Sequence, residues 1–209
     1  MNNYIIIIIV IIIVISYIWL SIPNTEYYKS DIDGVNYQIN SSFKNNTHEE
    51  AANKMAQINI FIINFIRYLR KKYIWNECDN EFKNSVVLNI LDRYNPDVLK
   101  ENNPKGINNT SYVLNKGEEI AFCIREKKSG ENNFHDIDIL QFVVLHELTH
   151  VGLNSYGHDK IFWETFHFLL YEAQDAGIYI PKDYSINGEN YCGIDVNYNP
   201  YFDNDLTIL

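Results

Sequence analysis

An α+β fold is predicted for this 209-residue chain on three observations. Apolar residues recur at helical spacing in four segments of the body, and two short β-type runs flank a turn-forming centre. An uninterrupted aliphatic run at the N-terminus stands apart from the rest of the chain.

That run is Ile5 to Ile15, all Ile and Val, extended by Ser16, Tyr17, Ile18, Trp19 and Leu20 before Pro23 stops it. As a helix, residues 4 to 20 reach roughly 25 Å, enough for a thin, ER-like bilayer. Tyr17 and Trp19 suit an interfacial belt. No Lys or Arg precedes the run and no small-x-small cleavage pattern succeeds it, so residues 1–22 are expected to be a retained N-terminal transmembrane helix rather than a signal peptide. Residues 23–46 are polar and rich in Asn and Ser and read as a tether, leaving residues 47–209 as the folded domain.

Within that domain Thr47 is the expected N-cap of a helix running to Lys72, with Glu50 as its capping-box partner. Met55, Ile58, Ile62, Phe65, Ile66 and Leu69 form its core face. A second helix spans about Asp79 to Tyr94 on Phe82, Val86, Val87, Ile90 and Leu91, and stops before Asn95-Pro96. Ser111 to Leu114 and Glu119 to Ile124 flank Asn115-Lys116-Gly117 as a β-hairpin. Asp136 and Asp159 are expected N-caps of two further helices, the first containing Ile137 to Leu153 and the second running towards Ala176, where Gly177 ends it. From about residue 178 the chain is Tyr- and Asn-rich and reads as an irregular, wrapping C-terminal extension.

A formal charge of -10 excludes a phosphate-tracking surface, so no nucleic-acid partner is expected, and 46% apolar residues supply a substantial core. Cys78, Cys123 and Cys192 form no CxxC pair, so sulfur is not the expected metal ligand. In an oxidising compartment Cys123 would pair with Cys192, stapling the extension across the sheet and leaving Cys78 free; in a reducing one all three remain thiols. Asn40, Asn45 and Asn108 head formal N-glycosylation triplets in polar segments.

The chemistry is concentrated in His146-Glu147-Leu148-Thr149-His150, an H-E-x-x-H pattern on an apolar helix. Spacing i, i+4 puts both imidazoles on one helical face with Glu147 beside them. His158, returned after Gly152 and Gly157, is the expected third ligand, and Glu172 on the following helix is its rival. Three neutral imidazoles plus water make an open tetrahedral Zn2+ site, in which Glu147 is the general base for hydrolysis of a peptide bond in a protein or peptide substrate. The strand Glu119 to Ile124, at a sheet edge, would align that substrate. Tyr156 or Tyr191 would donate to the oxyanion. His167 is expected to be a core or surface histidine, and His135 and His48 to be solvated.

The run Leu145 to His150, with Gly157-His158-Asp159-Lys160-Ile161-Phe162-Trp163 after it, resembles the WLM and SprT-like zinc metallopeptidases over roughly residues 110 to 177. The resemblance implies a small zincin-like domain, with a short antiparallel sheet, an active-site helix and supporting helices. It also implies His146, His150 and His158 as zinc ligands and Glu147 as base. The DNA-linked substrates of that family's best-known members do not carry over, because the basic surface and zinc ribbon are missing. Ala121 to Arg125, Phe168 to Leu170 and Tyr191 to Gly193 are similar to uncharacterised WLM-like proteins of large eukaryotic DNA viruses. That likeness implies a single-pass protein of a viral or ER-derived membrane, held through residues 4–20. It is expected to act as a metallopeptidase or, alternatively, as a catalytically silent zincin-fold structural or assembly protein of that membrane.

Overall fold

The computed structural model describes residues 2–21, 25–41, 47–76, 79–102, 110–126 and 133–206, with the side chains of the first stretch described from Tyr4 to Val14. Its architecture is α+β. Helix α1 (Asn2–Ser21) carries the aliphatic run. Among the described residues no helix is long and apolar enough to cross a membrane. This overturns the expected transmembrane anchor over residues 4–20 and, with it, the single-pass placement in a viral or ER-derived membrane.

The segment read as a tether contributes two strands. β1 (Thr25–Lys29) and β2 (Asn36–Asn40) pair antiparallel, with Tyr27 opposite Gln38. Tyr37 and Ile39 alternate into the core at 1% and 0% exposure, a period-2 signal too short to stand out in a polar stretch. The sheet is completed by β3 (Leu99–Glu101), β4 (Tyr112–Leu114) and β5 (Glu119–Phe122), in the order β1-β2-β3-β5-β4. β3 lies parallel to both β2 and β5, whereas β4 pairs antiparallel with β5. The sheet is therefore mixed rather than antiparallel. β2 and β3 are parallel because α2 (His48–Leu69) and α3 (Glu81–Arg93) carry the chain between them, a crossover that a hairpin cannot make, and β3 and β5 are parallel because the chain passes first through β4, on the far side of β5.

α2 buries Met55, Ile58, Ile62, Phe65 and Leu69 on one face and packs on β2 and β3. Its Thr47 makes no capping bond. Instead Thr47 Oγ1 accepts from Arg125 Nη1 at 2.8 Å, so the expected capping box gives way to a tertiary contact. Arg125 also donates through Nε to Glu101 at 2.6 Å, and Glu101 in turn accepts from the Asn40 amide at 2.9 Å. This buried pair joins β2, β3 and the end of β5, and its desolvation is offset only because the hydrogen bonds are satisfied. After α2 the chain continues as a π-helical turn (Arg70–Trp75).

Helix α4 (Ile137–Gly152) packs on α3, and α5 (Lys160–Asp175) packs on α4. Close approach of α3 and α4 requires Gly152, where an added Cβ would lie 2.9 Å from Val86 Cγ1. The last carbonyls of α4 have no partner within the helix and are satisfied by α3: Asn89 donates to Gly152 at 2.8 Å and Arg93 to Val151 at 2.9 Å. Beyond α5 the wrapping extension is more regular than expected, with a hairpin of β6 (Glu189–Tyr191) and β7 (Ile194–Val196). Cys192 in its turn is disulfide-bonded to Cys123, at the end of β5, with a Cα–Cα distance of 6.4 Å. Cys78, Asn45 and Asn108 lie outside the described residues, and Asn40 is 2% exposed, which removes it as an open glycosylation acceptor.

Candidate functional site

α4 presents His146 and His150 one turn apart on one face, as i, i+4 spacing dictates. The chain then leaves the helix, held by Arg93 on α3, and reverses at Gly157, whose φ of 86° lies in the left-handed region that favours glycine. His158 is returned to the same face. Asp159 fixes the start of α5: its Oδ1 accepts from the Phe162 amide at 3.0 Å and caps the helix.

The three imidazoles converge through the same nitrogen. His158 Nε2 lies 3.1 Å from His146 Nε2 and 3.2 Å from His150 Nε2. Tetrahedral bonds of about 2.0–2.1 Å to one zinc ion put ligand nitrogens roughly 3.3 Å apart, so the spacing fits that ion. Burial and the neighbouring His150 and His158 push His146 down to about 3, and burial with the nearby His158 and Lys116 pushes His150 down to about 4. Burial also lowers His158. The rings are thus held neutral, the state in which imidazole binds metal. Phe162 on α5 packs against all three, with ring centroids 4.9, 4.5 and 4.5 Å from His146, His150 and His158.

Glu147 sits beside the triad at 5% exposure, and burial pushes its carboxyl up to about 8. The rival Glu172 is elsewhere on α5, held by Lys72 at 2.8 Å and by the Tyr73 hydroxyl at 2.9 Å. His167 is buried against Tyr171, as a core histidine. His135 and His48 are not simply solvated: His135 is 3% exposed beside the disulfide, and His48 stacks on Tyr28 at 4.5 Å.

A cleft of about 600 Å³ opens over the triad. Its floor is α4 with Phe142, Val143 and Glu147; Trp163 and Phe166 on α5 add an aromatic side. One wall is β4, the outer strand of the sheet; β5 is enclosed between β3 and β4 and cannot serve as the aligning edge expected of Glu119 to Ile124. The opposite wall is the C-terminal hairpin, with Tyr191, Ile194, Val196 and Tyr198. That wall had no motif to announce it. Its only signals were the aromatic density of the extension and the Tyr191-Cys192-Gly193 step.

The WLM domain, a family associated with metallopeptidase-like function and zinc binding, matches residues 87–204, which hold the triad, Glu147 and both walls. An uncharacterised protein of Acanthamoeba polyphaga mimivirus is 33% identical over 172 residues, covering 80% of this chain and 80% of its own. Uncharacterised proteins of invertebrate iridescent viruses 6 and 3 are 34% and 38% identical, over 51% and 40% of this chain and 56% and 50% of theirs. No solved structure matches. A domain match spanning the cleft and a relative aligned along most of both chains lead to one conclusion: the chain belongs to the WLM domain family.

Proposed function

We propose that this protein is a zinc-dependent peptidase in which His146, His150 and His158 hold the ion and Glu147 is the general base. The observation carrying the reading is the convergence of three imidazoles, with His158 Nε2 3.1 Å from that of His146 and 3.2 Å from that of His150, beside the buried carboxyl of Glu147 in an open cleft. Zinc bound there supplies Lewis acidity and lowers the pKa of water towards about 7. Glu147 would take the proton from the attacking water and deliver it to the departing amine.

Among the described residues β4 is an outer strand of the sheet, so an extended peptide adds to the sheet there. Phe142, Val143, Trp163 and Phe166 then receive an apolar side chain of the peptide and exclude water around the reacting carbonyl.

The test is hydrolysis of fluorescently labelled casein by the zinc-loaded full chain and by Glu147→Gln. Turnover by the parent, with a loss of about 10²–10⁴-fold in kcat and unchanged zinc content in the variant, is the expected result. A zinc-loaded parent with no turnover on unfolded substrates sinks the peptidase reading and leaves a catalytically silent zinc protein.

A further inference from the structure

Four tyrosines line the cleft: Tyr112, Tyr156, Tyr191 and Tyr198. Two of them have already committed their protons. The Tyr112 hydroxyl donates to Glu119 Oε1 at 2.6 Å, and that of Tyr198 to Asp203 Oδ2 at 2.6 Å. Tyr156 is 76% exposed, with its ring under the Lys116 ammonium at 4.0 Å, so its hydroxyl is a solvated group at the rim.

Tyr191 differs from all three. It is 4% exposed, at the end of β6, and its Oη lies 2.5 Å from Ser111 Oγ. A neighbouring bond holds the serine in place: the Cys123 amide donates to Ser111 Oγ at 3.1 Å, which leaves the serine its own hydrogen to give, and either oxygen of the Ser111–Tyr191 pair can donate. When Ser111 donates, the phenol oxygen accepts and its own proton is available to the cleft that Tyr191 lines. Burial, with a smaller contribution from the charge of nearby Glu147, pushes the phenol upward, so it is a proton-bearing donor across the neutral range.

The phenol is also firmly placed. Its ring packs on His135 at a centroid distance of 4.9 Å, and the adjacent Cys192 is tied to Cys123, the residue whose amide begins the relay. Both ends of the arrangement therefore meet at one point of the sheet.

Resting on the peptidase reading, we infer that Tyr191 is a catalytic residue: its phenol donates a hydrogen bond to the substrate carbonyl oxygen as that oxygen gains negative charge, and Ser111 is the positioning residue that aims it. The proton stays on the phenol throughout, because the role is electrostatic stabilisation rather than transfer.

The experiment uses the full zinc-loaded chain and two readouts. In casein hydrolysis, Tyr191→Phe lowers kcat on the order of 10²–10³-fold with KM and zinc content unchanged. Ser111→Ala loses less, and the Ser111→Ala/Tyr191→Phe double variant is no worse than Tyr191→Phe alone, because the two act as a unit. In calorimetric titration with acetohydroxamate, which needs no turnover, Tyr191→Phe binds about tenfold more weakly than the parent, the worth of one hydrogen bond to a charged oxygen. Should Tyr191→Phe fail to fold, 3-fluorotyrosine at position 191 replaces it, and the alkaline limb of the pH–rate profile or of acetohydroxamate affinity must then move to lower pH. Parental kcat and parental acetohydroxamate affinity in Tyr191→Phe, or an unmoved alkaline limb in the fluorinated protein, overturn the assignment. Loss of acetohydroxamate affinity in a protein that never hydrolyses casein upholds Tyr191 as the donor while rejecting the peptidase reading.

Discussion

Among the described residues two clusters of potential metal ligands stand in this domain, and they are built in opposite ways. His146, His150 and His158 lie at the floor of an open cleft, with His158 exposed and each Nε2 directed at the others. Cys123, His135 and Cys192 bring their ligand atoms as close, but at 0%, 3% and 1% exposure, and the two sulfurs have already joined each other. His135 Nε2 accepts from the Cys192 amide at 3.3 Å rather than awaiting a cation. Convergence of ligand atoms is therefore insufficient. A catalytic metal site also needs uncommitted lone pairs and a path for water, and of these two clusters the histidine triad alone has both.

The contrast breaks most sharply at Phe162, which is fully buried and touches all three rings of the triad. Phe162→Ala should cost about 3–5 kcal/mol by chemical denaturation and weaken zinc retention, while the disulfide stays intact. If zinc affinity is unchanged in the folded variant, the ring does not organise the triad.

The sulfur cluster is tested by replacing both of its cysteines. Cys123→Ser/Cys192→Ser should lose about 2–4 kcal/mol of stability, because the bond closes a loop with a sequence separation of 69. Zinc content should not change; a protein that loses its zinc together with the disulfide would show that the two clusters are one site. Thiol counting of the denatured parent should give one reactive group without reductant, Cys78, and three after reduction.

The smallest effect is in the pH response of the metal-stripped chain. His146 and His150, with folded values of about 3 and 4 against 6.5 when unfolded, stabilise fully above about pH 6.5, and that contribution is lost as pH falls. Glu147, raised from 4.5 to about 8, acts the other way: its contribution is complete below about 4.5 and is lost as pH rises through 8. Two histidines outweigh one carboxyl between those limits, so thermal stability of the stripped protein should peak near about pH 6.5. A maximum above pH 8 would contradict the buried, neutral state of this site.

The open cluster was legible in the sequence, whereas of the closed one only the Cys123–Cys192 pairing was expected, for an oxidising compartment, and His135 was read as solvated. H-E-x-x-H on an apolar helix places His146 and His150 on one face by helical geometry alone, and Gly157 with the Asp159 cap marks the return of His158. These are local features spanning residues 146 to 159. The disulfide, whose partners are 69 positions apart, rested on there being few cysteines to pair, while the Arg125–Glu101 pair and the Ser111–Tyr191 contact join residues 24 and 80 positions apart, and no periodicity announces such pairs. The same limit explains β1 and β2: their membership in the sheet rests on Tyr37 and Ile39 beneath α2, while the surrounding polar residues read as a tether. The N-terminal run was read from its composition alone, and among the described residues no helix is long and apolar enough to cross a membrane.

The central claim, that His146, His150 and His158 form the metal site and Glu172 does not, is tested most directly by metal analysis of the purified chain by plasma mass spectrometry. The parent should hold about one zinc per chain, His158→Ala should lose it, and Glu172→Ala should keep it, since Glu172 is held by Lys72 and Tyr73 away from the cleft. Full zinc in His158→Ala together with loss in Glu172→Ala would contradict the account and make the site one of two histidines and a glutamate.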